Sequence, residues 1–175
     1  MSRPADPAAP PRLAWRAMRV ADLPAVEAVG EAVHTAYPED PEVFAERLAL
    51  FPFGCHVLEG EDGLVGYLIS HPWRRAAPPA LNARLGGLPE RPGTYYIHDL
   101  ALLPGARGRG VARRVVRAMA AMAISQGLDE MSLVAVGGSG GFWATQGFAR
   151  LEVPELAAKL ASYDAGAAYM RRLLR

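Results

Sequence analysis

The chain has one cysteine, Cys55, one lysine, Lys159, and a net charge of only +1 over 175 residues. A lone cysteine excludes an internal disulfide framework and a cysteine-built zinc site. Near-neutrality argues against a general nucleic-acid binder, which carries a strongly basic face, although it leaves room for a local anion site. No apolar run is long enough to span a bilayer. The opening residues "MSRPADPAAPPR" lack the apolar core of a signal peptide. Together these absences predict a cytoplasmic protein that takes neither nucleic acid nor membrane as a partner, and no metal. Residues 1–12, rich in proline, read as a mobile tail. Residues 13–175 read as one domain with a single core.

Half of the residues are apolar (51%) and a fifth are charged (21%), an ordinary globular balance. Leu13 to Val20 reads as a first strand. Asp22 and Pro24 then mark the start of a helix running toward Tyr37. Pro41 to Phe51 is a second, shorter amphipathic helix. "CHVLE" and "LVGYLIS", joined by "GEDG", make a hairpin. From Arg74 to Gly93 there is no period, and long loops in compact domains are often functional. "TYYIHDLALL" is nearly continuously apolar, as for a central strand covered on both faces. Val111, Val115, Met119 and Met122 then form a helical stripe that stops at Gly127. Met131 to Val136 is a strand, and "SGGFWATQGF" a short helix. "ARLEV" and "AAYMRRLL" are the last strands, with a partly helical "PELAAKLASY" between them. This alternation predicts an α/β (α+β) fold, a mixed sheet with helices on both faces.

The densest signal is "LPGARGRGVARRVV", Leu103 to Val116, where glycines and arginines crowd between strand and helix. A helix start presents unpaired amides and the positive end of the helix dipole, and both favour phosphate. Gly108 and Gly110 would let a pyrophosphate approach the backbone. Hydrogen bonds to a charged group contribute roughly 1.5–3 kcal/mol each, so a few such amides can dominate binding. The plain alternative is a solvated helix terminus. Two other phosphate motifs fail here: Arg113 stands where a dinucleotide fingerprint needs its third glycine, and no Gly-Lys pair exists for a P-loop.

"LALLPGARGRGVARRVV" resembles the acetyl-CoA-binding motif of the GNAT N-acetyltransferase superfamily, Q/R-x-x-G-x-G/A. Arg107, Gly108, Arg109, Gly110, Val111 and Ala112 fill it. Gly147 and Phe148, about thirty-five residues on, resemble the Gly-Phe that closes the family's aromatic-rich helix, and the strand order agrees from Leu13. The resemblance implies a mostly antiparallel central sheet with a splayed pair of central strands. It also implies acetyl-CoA as cosubstrate, its pyrophosphate wrapped by residues 107–112 and its pantetheine bonded to the backbone of Leu100 and Leu102.

The family usually carries its base on the strand before this loop. Strict alternation would put Tyr96, His98, Leu100 and Leu102 on one face and Tyr95, Ile97, Asp99 and Ala101 on the other. Some arylalkylamine acetyltransferases have histidines at the positions of Tyr96 and His98. The resemblance therefore makes His98 the preferred base, acting through water, with Tyr96 as the second catalytic candidate. Imidazole suits proton acceptance near neutral pH. His71 and His56 are weaker candidates, and Asp99 reads as a paired structural carboxylate. Ser139 takes the place of a common asparagine. Trp143 replaces the tyrosine often proposed to protonate the thiolate; indole has no proton to release near neutral pH, so Trp143 reads as a wall beside the coenzyme.

The implied activity is acetyl transfer to a primary amine of a small molecule or a protein. The alternative is a catalytically silent acyl-CoA-binding regulatory module. Glu39, Asp40 and Glu42 would draw an amine, and Arg74, Arg75 and Arg84 a carboxylate. A homodimer is common in the family.

Overall fold

The computed structural model describes residues 12–174, so nearly all of the expected N-terminal tail lies outside it. Seven strands and five α-helices follow in the order β1 (Ala14–Ala17), α1 (Leu23–Val33), α2 (Pro41–Leu50), β2 (Cys55–Gly60), β3 (Gly63–Trp73), β4 (Thr94–Leu102), α3 (Val111–Ser125), β5 (Glu130–Ala135), α4 (Gly140–Thr145), β6 (Ala149–Arg150), α5 (Ala157–Ala161) and β7 (Ala168–Leu173). The alternation read from the pattern is present, with shorter elements at both ends. Asp22 does not cap α1 with its side chain. Its carboxylate accepts the Arg19 N–H at 2.7 Å and pairs with Arg16 at 2.6 Å, which fastens the turn before the helix. α1 stops at Val33 rather than Tyr37; the backbone before Pro38 is pushed out of the helical region.

The sheet order is β1-β2-β3-β4-β5-β7-β6. Every pairing is antiparallel except that between β4 and β5. Helices cover both faces. On one, Val26 and Val29 of α1 and Phe44 and Leu48 of α2 pack on Val57, Tyr67, Ile69 and Ala101. On the other, Val115, Val116 and Met119 of α3, together with Trp143, pack on Tyr95, Ile97, Met131 and Leu133. A central strand covered on both sides must be apolar in both directions, which is why "TYYIHDLALL" shows so little alternation.

Two irregularities of β4 position everything that follows. First, its parallel pairing with β5 covers only Tyr95↔Met131 and Tyr96↔Ser132. A buried hydrogen bond from Thr94 Oγ1 to Ser132 Oγ, 2.8 Å, closes that end. Beyond it the strands part. Second, the register with β3 runs Ile69↔Asp99 and then Ser70↔Ile97, which leaves His98 as an extra residue, a β-bulge. A one-residue slip exchanges the faces of all that follows. The expected faces are therefore corrected. Tyr95, Ile97 and Leu100 pack toward α3, and Leu102 beside Val111 at its start. Asp99 and Ala101 lie with Tyr67 on the α1 side.

The segment 74–93 contains no helix or strand, and α2 holds it down. Buried Arg47 donates to the Ala83 carbonyl at 2.8 Å and to Glu46 at 2.8 Å. Glu46 in turn accepts the Leu85 and Gly86 amides at 2.7 and 3.0 Å. Asn82 and Asp40 exchange two further bonds, and Tyr163 donates to the Pro79 carbonyl. Burial pulls the Arg47 pKa below its ordinary value, against the pull of Glu39 and Glu46. Removing one partner of a buried pair strands the other, at a cost of about 3 kcal/mol or more. Arg47→Ala is expected to lower urea-unfolding stability by about that amount and to expose residues 74–86 to limited proteolysis. Unchanged cleavage would mean that the strap is held by other contacts.

Candidate active site

Where β4 and β5 separate, a cavity of about 680 Å³ opens between them. Ile97 to Leu100 line one side, and Leu133, Val134 and Val136 the other. At one end stand Arg107, Gly108, Gly110, Val111 and Ala112; Ser139, Phe142 and Trp143 form a further wall. All the residues expected around the coenzyme thus border one cleft, except Arg109, which is not among its lining residues.

The loop's shape follows from its glycines. Gly108 and Gly110 have φ of +71° and +72°, and a Cβ on either would meet only open space. That backbone conformation strains residues with side chains, and the space above it is what a ligand's approach requires. Gly110 precedes the first residue of α3, so the first-turn amides point out of the helix end without intrahelical acceptors. Arg107 is exposed and donates from Nε to the Leu102 carbonyl at 3.0 Å. Its side chain therefore folds back to pin the loop to β4. This uses the Leu102 carbonyl, one of the groups expected to bond pantetheine.

Trp143 is 7% exposed and makes edge contacts with Phe142 and Phe148 at centroid distances of 5.0 and 5.5 Å. It is a packed aromatic wall. The Ser139 carbonyl accepts the Trp143 N–H at 3.1 Å, and its hydroxyl makes no cap bond.

The bulge carries the titratable groups. His98 Nε2 lies 2.9 and 3.0 Å from the two oxygens of Glu39, both side chains nearly buried. Beside it, the Asp99 carboxylate accepts the Tyr67 hydroxyl at 2.5 Å and lies 2.7 Å from His34 Nε2, an ion-pair contact. Burial alone would lower the His34 pKa, but Asp99, helped by Glu39, raises it above the ordinary value. For Asp99 burial works upward, and His34 and Tyr67 outweigh it and pull the pKa down. Asp99 is thus a paired carboxylate, and its partners are a histidine and a tyrosine.

A second, smaller chamber of about 70 Å³ adjoins the first and shares His34, Tyr37, His98, Asp99, Val134 and Val136 with it. Tyr96, Glu39, Tyr163 and Pro79 to Leu81 complete its walls. Burial raises the Tyr96 phenol well above its ordinary value. His71 lies behind, its ring 6.4 Å from that of His98. Its Nδ1 meets the Pro72 carbonyl at 3.1 Å and its Nε2 has no partner. Burial, then His98, depress its pKa to about 3. His71 and His56 border neither cavity. Of the acidic residues considered for amine attraction only Glu39 faces the site. Arg74 stacks on Trp73, Arg75 pairs with Asp129, and Arg84 approaches Glu46 at 3.6 Å, so none supplies a carboxylate site there.

The sequence reading missed His34, Tyr67 and Tyr163. Only contacts across the fold reveal them, since His34 sits inside what looks like an unbroken amphipathic helix.

A family model described as "Acetyltransferase (GNAT) family" matches residues 16–148. The chain belongs to the GNAT acetyltransferase family. No match is found among curated proteins. Among solved structures, the loading GNATL domain of CurA from Lyngbya majuscula superposes with a TM-score of 0.76 at 15% identity, over 93% of this chain and 98% of that one. The GphF GNAT-like decarboxylase, solved with isobutyryl-CoA, gives 0.75 at 19% identity, over 93% and 100%. Chaetomium thermophilum Naa20, solved with a bisubstrate analogue, gives 0.68 at 19%, over 92% and 86%. At such identities these neighbours show the fold alone.

His34 should titrate as the geometry requires. Its pKa is raised, so its stabilising pairing with Asp99 is complete below the ordinary imidazole value and is lost as pH rises through the raised one. Asp99 supplies the opposite limb, lost as pH falls through its lowered value. A proton-NMR titration should place the His34 pKa above 6.5, and Asp99→Asn should bring it down because burial then acts against Glu39 alone. No movement in Asp99→Asn would show that the pair does not set the charge of His34.

Proposed function

We propose that the protein transfers an acetyl group from acetyl-CoA to a primary amine. The observation that carries this reading is the meeting of the two cavities at the β4 bulge, where His98 borders both and Glu39 holds it from the smaller one. The larger cleft suits the coenzyme: it is open at the glycine loop, amide-lined at the start of α3 and apolar along the parted strands. GNAT neighbours solved with acyl-CoA or a bisubstrate analogue support this donor.

A carboxylate only accepts hydrogen bonds, so Glu39 fixes the hydrogen of a neutral His98 on Nε2 and leaves Nδ1 as the proton acceptor. His98 takes a proton from the amine, directly or through one water, as the new C–N bond forms and the C–S bond breaks. The departing thiolate needs a proton, and Trp143 has none to give. His34, held as imidazolium by Asp99 on the wall of the same cleft, supplies it. One proton then returns from His98 to His34 through solvent, and the site is reset. A coenzyme A thiol has a pKa near that of cysteine, about 8.5, so this donation requires only a weak acid.

The retained His98–Glu39 pair favours turnover over a silent acyl-CoA-binding module, which would have no use for a base at the junction. Two variants separate binding from chemistry. Gly110→Asp places bulk, charge and strained backbone in the loop; a folded variant should lose acetyl-CoA affinity by tenfold or more in calorimetry. His98→Ala should keep that affinity, lose turnover by about 10²-fold and flatten the acidic limb of the pH–rate profile. Binding without turnover in the unaltered protein, across a broad amine panel, would establish the silent module.

Trp143→Phe preserves the aromatic wall and should keep most of the turnover. Trp143→Ala should cost about 3–5 kcal/mol of stability through the cavity it leaves. If Trp143→Phe loses turnover as badly as His98→Ala while binding acetyl-CoA, the indole has a chemical role.

A further inference from the structure

We infer that the acceptor is a small, unbranched primary amine with no carboxylate near its nitrogen, an aminoalkyl compound rather than an amino acid or a polypeptide. This rests on the acetyl-transfer reading above and assigns the second chamber as the seat of the amine.

The chemistry of its walls supports this class. Glu39 and His98 stand on one side, and Tyr37, Tyr96 and Tyr163 contribute aromatic surface. Two of the phenols have their hydroxyls committed elsewhere: Tyr37 donates to Asp164 at 2.5 Å and Tyr163 to the Pro79 carbonyl. They therefore offer ring surface, which attracts cations. Among the described residues lining the chamber none is an arginine or a lysine. Arg47 does not line the chamber; it is buried, and its two terminal nitrogens bond Glu46 and the Ala83 carbonyl.

The charge balance points the same way. Asp99, beside His34, and Glu39, beside His98, both line the chamber, and two carboxylates there favour a cationic substrate end. An incoming ammonium is drawn in, can lose one proton to solvent, and reacts as the free amine beside His98. A substrate carboxylate within a few atoms of that nitrogen would face Glu39 and Asp99, and the imidazolium on that wall, His34, is already paired with Asp99. Size acts as a second filter. About 70 Å³ accommodates a few non-hydrogen atoms, enough for an aminomethyl or aminoethyl end. The amine of a polypeptide N-terminus is attached to a carbon that bears the peptide carbonyl and, except in glycine, a side chain. The strap bearing Pro79 to Leu81 forms a wall of the chamber and is pinned at Pro79, Asn82, Ala83, Leu85 and Gly86.

The test measures coenzyme A thiol release by the full-length protein, corrected for hydrolysis, with four acceptors. These are n-propylamine, 3-aminopropanoate as its carboxylate counterpart, a short peptide with a free N-terminus, and an N-terminally blocked peptide bearing one lysine. Propylamine should exceed 3-aminopropanoate and both peptides by at least about 100-fold in kcat/KM. Leu81→Arg brings a guanidinium to the chamber from a position that is 40% exposed, so the fold should tolerate it. It should raise kcat/KM for 3-aminopropanoate by tenfold or more and lower that for propylamine. A wild-type preference for 3-aminopropanoate or for either peptide overturns the assignment, as does a Leu81→Arg variant, folded by circular dichroism, that leaves the ratio unchanged. If no amine is acetylated although acetyl-CoA binds in calorimetry, the transfer reading itself fails and this inference falls with it. That result is distinct from activity with the wrong acceptor.

Discussion

Two parallel strands that bond over only two residue pairs and then part leave backbone groups on both sides without strand partners. Such groups are costly when buried and unpaired, so a gap of this kind persists where water or a ligand can fill it. Every functional feature is arranged around that gap between β4 and β5. The apolar residues of both strands keep the sheet anchored to its helices on either face, while Thr94 and Ser132 hold the closed end. At the open end α3 presents its amides. The cleft is thus a consequence of where pairing stops.

The bulge at His98 is the second half of the same design. Without the extra residue, Asp99 would face α3 and the pairing with His34 and Tyr67 could not form. With it, two consecutive ionisable residues lie on the α1 side, one paired with Glu39 and the other with His34. Three charged or polar contacts then converge from β3, α1 and the linker before α2. Their burial is tolerable because each carboxylate has a partner.

The sequence made some of this legible and some not. The glycine loop could be read because it obeys local rules: positions 108 and 110 need positive φ and an absent side chain, and only glycine supplies both cheaply. Helix α3 was equally clear from its 3.6-residue stripe. The bulge was invisible, since nothing in "YYIHDLALL" marks His98 as the residue that slips, and a period-2 reading therefore exchanged the faces of Asp99 and Leu100. Glu39 could be noticed as an acid near the acceptor side, but its distance to His98 depends on how the turn after α1 packs across a sequence separation of fifty-nine. The strap at 74–93 had no period to read. Its order comes from Arg47, Glu46 and Tyr163, contributed by distant elements. Local chemistry is written in neighbouring residues; chemistry assembled by packing is not.

The two cavities are built from differently distributed parts of the chain. The donor cleft draws mainly on the continuous stretch from Ile97 through Trp143, with only the residues at the end of α1 added. The smaller chamber takes Glu39 from before α2, Pro79 to Leu81 from the strap and Tyr163 from beyond α5. Substitutions among those scattered positions would reshape the smaller chamber while leaving the loop at Gly108 and Gly110 intact. One scaffold of this kind can hold its donor constant while its descendants diverge in what they modify.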